Sequence, residues 1–266
     1  MISLIIILIL LLFFLLAIRG KPINDLGELE NAVYAHRGLH NENRPENSLS
    51  AFKAAVEKGY GIELDVHLLS DGSLAVIHDT SLLRTCGVDI NITTLKEADL
   101  KKYHLENTEE TIPTFRQVLD IVGGKVPLII ELKTDGGNWA ALSSAVNDAL
   151  KDYQGSFCIE SFDPRAIYWF AKHQKDIICG QLVDNFLVNK GELKLPLRVL
   201  LTLMVANFIT RPSFIACNYN HLKMLPNLIA TRLWGVKSVC WTIRNMEDFG
   251  SAVKNNSIPI FENIEP

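Results

Sequence analysis

The 266-residue chain is short of several things, and each shortage argues against a class of function. Lys and Arg number 26 against 30 Asp and Glu, a formal net charge of −4. No basic footprint exists to neutralise a phosphate backbone, so nucleic acid is not an expected partner. Only five cysteines are present, and none has the paired spacing of a zinc site or a redox motif. Cys158, Cys179, Cys217 and Cys240 fall in predicted strands and Cys86 in a loop, which reads as reduced, structural thiols. Residues 2–18 lack charge altogether, with Ser3 as their single polar side chain, and beyond that run there is no low-complexity segment and no internal repeat.

The uncharged run corresponds to about 26 Å of helix at 1.5 Å per residue, against a hydrocarbon core of ~30 Å. A cleavable signal would open on positive charge and close on a small-residue site, whereas here Met1 is followed by Ile2-Ser3 and the run closes with Ala17-Ile18-Arg19-Gly20. Residues 1–20 are therefore expected to form an uncleaved, single-pass transmembrane anchor, with 21–32 as linker. Arg19 and Lys21 follow it, which places the remaining chain on the cytoplasmic side of a membrane. A second apolar stretch, Leu195 to Ile209, puts Leu197, Leu200, Leu201, Met204, Val205 and Phe208 on one helical face. It is short and contains Arg198, so it reads as a helix buried on one side or lying in a membrane interface.

What the chain does have is chemistry in an alternating pattern. In 61–79, GIELDVHLLSDGSLAVIHD, period-two strand geometry puts Ile62, Leu64 and Val66 on one face and Glu63, Asp65 and His67 on the other. The run 126–133, VPLIIELK, repeats the design, with Glu131 and Lys133 opposite Leu128, Ile130 and Leu132. Both strands carry their polar residues late, where a parallel α/β sheet or barrel places its active-site face.

Strand patterns fall near 33–36, 61–66, 128–133, 156–161, 177–182, 214–218, 237–242 and 258–262. Helical patterns over 48–58, 138–151, 165–174 and 246–255 lie between them. Eight strands with interleaved helices predict one (β/α)8 TIM barrel over 33–266. Residues 74–77 follow the turn pair Asp71-Gly72 and read as a hairpin return that aims His78 over the site, and 80–112 reads as a small insertion.

The ordered series His36-Arg37-Gly38, Pro45-Glu46-Asn47-Ser48, Glu63-Leu64-Asp65-Val66, Asp71-Gly72 and His78-Asp79 with Leu83-Arg84-Thr85 resembles the glycerophosphodiester phosphodiesterase family. Pro113-Thr114-Phe115, Ile130-Glu131-Leu132-Lys133, Ser161-Phe162 and Trp241-Thr242 agree with it, so the likeness extends over roughly 33–264. It implies metal-dependent hydrolysis of a small glycerophosphodiester to sn-glycerol 3-phosphate and an alcohol.

Elementary chemistry and the resemblance assign the same roles. Glu63, Asp65 and Glu131 supply hard oxygens for Mg²⁺ or Ca²⁺, and Glu46 is an additional or more remote ligand candidate. His36 and His78 form a general acid/base pair, because imidazole titrates near neutrality. Arg37 is expected to fork onto the phosphate and Lys133 to add a compact positive charge. Trp241 is expected against the glycerol or head group, and His67 behind the carboxylates as a supporting residue. His40, His104, His173 and His221 have no motif context.

Two positions depart from the family pattern. The last strand ends Ile260-Phe261-Glu262-Asn263 where a Thr-Asp-x-Pro element is common, and Cys86 stands where a second threonine often follows Arg-Thr. Both read as rim positions outside the core chemistry. The alternatives are a membrane-associated lysophospholipase D using the same site, and a non-catalytic membrane-binding barrel. No protein partner is predicted.

Overall fold

The structure is a computed structural model describing residues 2–23, 25–189 and 193–266. Among these residues nine strands form one sheet: β1 (Tyr34–His36), β2 (Gly61–Leu68), β3 (Leu74–Val76), β4 (Leu128–Leu132), β5 (Phe157–Ser161), β6 (Cys179–Val183), β7 (Phe214–Asn218), β8 (Lys237–Ile243) and β9 (Ser257–Phe261). All but β3 pair in parallel with their neighbours, and β1 pairs with both β2 and β9, which closes an eight-stranded parallel barrel. β3 is the hairpin return, antiparallel to β2, with Gly72 at a φ of 87° in its turn.

Alternation along the strands sorts side chains into two cores. Ile62, Leu64, Val66, Leu128, Ile130, Leu132 and Ile159 face outward and pack on the covering helices with Phe52, Phe115, Val118, Val146 and Phe170. Tyr34, Ile129, Cys158, Leu182, Phe214, Ala216, Val239, Ile258 and Ile260 fill the barrel interior. Two glycines make room for the largest of these: a Cβ on Gly61 would lie 2.7 Å from the Tyr34 ring, and one on Gly180 would lie 2.0 Å from the Phe214 ring. The inward positions at the carboxyl ends of the strands are polar, so the apolar filling is the floor on which the site stands.

The helices Leu49–Lys58, Trp139–Leu150, Pro164–His173 and Met246–Lys254 match the sequence pattern closely. Their starts have local causes. Ser48 accepts from the Ala51 N–H, Asp163 accepts from Arg165 with Pro164 opening the helix, and Asn245 accepts from Asp248. A further helix, Phe115–Val122, was not read from the sequence; Thr114 and Gln117 form its capping box. Residues 80–112 hold only short helical turns, gathered with residues of the β2–β3 hairpin around a small core of Ile77, Leu82, Ile92, Leu95, Leu100, Leu105 and Ile112. The 195–209 stretch is broken into Leu195–Thr202 and Asn207–Thr210, because Met204 adopts a left-handed φ of 56° between them.

The expected membrane-spanning N-terminus does not hold. The helix runs Ile2–Ala17, 16 residues, about 24 Å at 1.5 Å per residue and short of a ~30 Å core. Among the described residues no helix is long and apolar enough to cross a membrane. The single-pass localisation, and the cytoplasmic orientation derived from it, fall with that span. The end of the helix is fastened to the barrel. Ala17 and Ile18 are buried, Trp234 donates to the Leu15 carbonyl, Asn207 donates to that of Ile18, and the Lys21 N–H donates to Pro212.

Candidate active site

The carboxyl ends of the strands bring the predicted residues together. Glu63, Asp65 and Glu131 each offer an oxygen lying within 4.8 Å of the other two, all buried in the barrel mouth. The parallel register pairs Asp65 with Glu131 across β2 and β4, and His36 with Glu63 across β1 and β2. Lys133, one residue beyond β4, holds its Nζ 3.0 Å from Glu131 Oε1 and 3.2 Å from Asp65 Oδ1. Asn47 donates to Asp65 Oδ2 at 2.8 Å, while the buried Asp65 Oδ1 receives no well-formed hydrogen bond.

The electrostatics show what this cluster requires. Burial, then the charges of Asp65, Glu160 and Glu131, push the Glu63 carboxyl well above its ordinary range. Burial pushes Glu131 up to about 7, against the pull of Lys133. For Asp65 burial is outweighed by Lys133, His78 and Arg37, which hold it well below the ordinary range. Three hard carboxylates, two of them disfavoured as anions without more positive charge, and an Asp65 oxygen held by an ion pair but no well-formed hydrogen bond fit a hard divalent cation.

Each of the two motif histidines has a carboxylate on Nδ1. His36 Nδ1 lies 3.0 Å from Glu262 Oε2 and His78 Nδ1 lies 2.5 Å from Asp79 Oδ1. A carboxylate partner assigns the proton to Nδ1, which leaves Nε2 of each ring unprotonated in the neutral form. Both rings line one cavity of about 220 Å³ together with Arg37, Glu63, Glu131, Glu160, Phe162, Asn218, Trp241 and Arg244. Burial lowers both imidazoles below their ordinary value, while Glu262 and Asp79 respectively work in the opposite direction. His78 reaches the site because β3 returns antiparallel along β2 and the Ile77 N–H bonds the Asp65 carbonyl.

Arg37 sits in a left-handed turn, φ 55°, beside Gly38 at φ 81°. Its backbone N–H donates to Glu63 Oε2 and its Nη1 to Glu46 Oε1 at 2.9 Å, with Nε 3.5 Å from Asp65. Glu46 stands outside the three-oxygen cluster, its carboxylate taken up by Arg37 and by Arg84, which also binds Asp79. His67 donates from Nε2 to the His78 carbonyl at 3.2 Å, and burial pushes it down to about 4. The Trp241 indole donates to the Ala216 carbonyl, meets Phe162 edge to face at 5.8 Å and lines the cavity.

Sequence reasoning missed Glu262 and Glu160. Glu262, read as a rim residue, is the partner of His36 and also binds Arg244 at 2.9 Å. Its position on the strand face it shares with Ile258 and Ile260 was the available signal. Glu160 has the same signal, sharing a face of β5 with the interior Cys158.

A closed parallel barrel whose mouth joins an acidic cluster to two carboxylate-backed imidazoles and flanking cations has the parts of a phosphodiester hydrolase. The comparisons agree. The glycerophosphoryl diester phosphodiesterase family matches residues 36–261, and the chain belongs to that family. A glycerophosphodiester phosphodiesterase of Caldanaerobacter subterraneus subsp. tengcongensis is 30% identical over 237 residues, covering 85% of this chain and 91% of that protein. A lysophospholipase D of Rattus norvegicus is 31% identical over 133 residues, 45% of this chain and 41% of its own length. Among solved structures, an Oleispira antarctica phosphodiesterase in complex with its product sn-glycerol 3-phosphate has a TM-score of 0.70 at 22% identity, covering 87% of this chain and 92% of that one. A Thermotoga maritima glycerophosphodiester phosphodiesterase has a TM-score of 0.66 at 24% identity, covering 87% and 94%. At these identities the two structures speak for the fold.

Proposed function

We propose that the protein hydrolyses a glycerophosphodiester to sn-glycerol 3-phosphate and an alcohol, with His36 and His78 as the acid/base pair. The observation that carries this is the pair of imidazoles, each backed by a carboxylate, turned on one cavity beside three clustered carboxylates. Glu63, Asp65 and Glu131 would hold a divalent cation, Mg²⁺ or Ca²⁺, which when bound supplies charge neutralisation at the phosphate oxygens.

The protein's own residues supply the rest. Arg37, pinned by Glu46, and Lys133, pinned by Asp65 and Glu131, present fixed positive charge beside the phosphate position, so little reorganisation accompanies the reaction. Burial favours the neutral imidazole at both histidines, so one Nε2 is ready to take a proton from the attacking hydroxyl. The other ring, entering the step as imidazolium with an Nε2 proton taken from solvent, gives that proton to the departing alcohol oxygen, and the first ring releases the proton it gained to solvent. The Nδ1 carboxylates hold each ring in register and stabilise its imidazolium. His67 fixes the His78 backbone through its carbonyl, and Trp241 offers an apolar face to the substrate's carbon skeleton.

The substrate follows from relatives named for glycerophosphodiesters and from an Oleispira homologue that holds sn-glycerol 3-phosphate. Cleavage of the same bond in lysophospholipids is a second reading, favoured by the likeness to the rat lysophospholipase D. Product analysis with glycerophosphocholine and lysophosphatidylcholine tests both. Release of choline, with phosphate retained on glycerol, is expected from the first substrate, and from the second if the lysolipid reading holds. Release of phosphocholine would contradict the assignment of the scissile bond.

A further inference from the structure

Glu160 has no assigned role, yet it is the least satisfied acid in the barrel. It stands on β5 in register with Glu131 of β4 and Gly180 of β6. Only 1% of its surface is exposed, and it lines the cavity shared by His36, His78 and Trp241. Its Oε2 is buried without a hydrogen-bond partner, and it forms no ion pair among the described residues. It also lies outside the set of three carboxylates whose oxygens converge. A buried polar atom of this kind is costly unless something binds it.

The cavity limits what that something can be. A phosphate oxygen only accepts and is repelled by the ionised carboxylate, whereas a hydroxyl both donates and accepts and so pairs with this carboxyl even though burial beside Glu131 and Asp65 pushes it up. A cationic head group would have to enter past Arg37 and Arg244, which line the same cavity. A hydroxyl donor meets neither objection. The nearby aromatic pair, Phe162 and Trp241, supplies the apolar face against which a short carbon chain would lie. We infer that Glu160 accepts a hydrogen bond from a glycerol hydroxyl of the substrate and is the residue by which the site selects glycerol over an unhydroxylated chain. This deepens the proposed function and rests on it.

Binding separates this role from a contribution through the cation. The full-length protein loaded with Mg²⁺ is titrated with sn-glycerol 3-phosphate and with propyl phosphate, which lacks both hydroxyls. Wild type is expected to bind the glycerol compound at least tenfold more tightly. Glu160→Met is expected to bind the two equally, while Glu160→Gln, which keeps an acceptor oxygen, retains most of the preference. A wild type without preference, or a Glu160→Met variant that keeps it, overturns the inference. So does equal weakening of both ligands in Met and Gln variants together with weaker Mg²⁺ binding, since charge toward the cation would then explain the residue. Hydrolysis of glycerophosphocholine by wild type is measured alongside. Turnover without a hydroxyl preference sinks this inference alone, and absence of both sinks the functional reading with it.

Discussion

Replacing Glu262 gives the sharpest prediction, because it removes a single charged partner from His36. The carboxylate lies 3.0 Å from His36 Nδ1 and 2.9 Å from Arg244, and is mostly shielded from solvent. A hydrogen bond involving a charged group contributes about 1.5–3 kcal/mol. At about 1.4 kcal/mol per tenfold, Glu262→Ala should lower kcat roughly 10- to 150-fold. Glu262→Gln keeps an acceptor for Nδ1 and should lose less. Both variants remove the negative charge that stabilises the imidazolium, so the limb of the pH–rate profile belonging to His36 moves to lower pH. Stability gives an independent sign. The bond and charge of His36, with Arg244 and His40, overcome burial and push the Glu262 carboxyl down to about 2. A depressed folded pKa stabilises the protein above the ordinary Glu range, ~4.3, and that contribution is lost as pH falls toward 2. The Tm difference between wild type and Glu262→Gln should therefore be full at pH 6 and shrink below about pH 4. Turnover of Glu262→Ala within twofold of wild type, with an unmoved pH profile, would refute the reasoning.

Two further outcomes are expected. Glu131 must be an anion to bind a cation, and burial pushes its carboxyl up to about 7. Affinity for Mg²⁺ or Ca²⁺ should fall as pH drops below 7, with proton release visible by calorimetry in buffers of different ionisation enthalpy. Phe170 is fully buried between its helix and the barrel. Phe170→Ala should cost about 3–5 kcal/mol in urea unfolding, leaving the pH profile of residual activity unchanged.

Much of the architecture was legible because strand parity is a local property. Glu63 and Asp65 alternate with Ile62, Leu64 and Val66, and the folded barrel keeps that division between its mouth and its helix-facing side. The return of His78 was legible from Asp71-Gly72, since the turn dictates the hairpin. Contacts across the closure were not. Glu262 follows β9 and His36 ends β1, 226 positions apart, and only barrel closure joins them. Glu46 illustrates the same limit, because one of its two arginine partners, Arg84, comes from the short helical turn Leu83–Cys86, 38 positions away. The N-terminus failed for another reason. Its apolar composition was plain, but the burial of Ala17 and Ile18 and the bonds to Trp234, Asn207 and Pro212, which fasten the helix end to the barrel, are tertiary. The break at Met204 is likewise a backbone conformation that hydrophobic spacing does not report.

The most direct test is release of sn-glycerol 3-phosphate from glycerophosphocholine by the full-length protein in Mg²⁺, Ca²⁺ or EDTA, with Glu63→Ala and His78→Ala beside wild type. Cation-dependent release, abolished in Glu63→Ala and reduced about 10²–10⁴-fold in His78→Ala, is the predicted result. Release that persists in EDTA, or undiminished turnover by either variant, would contradict the account.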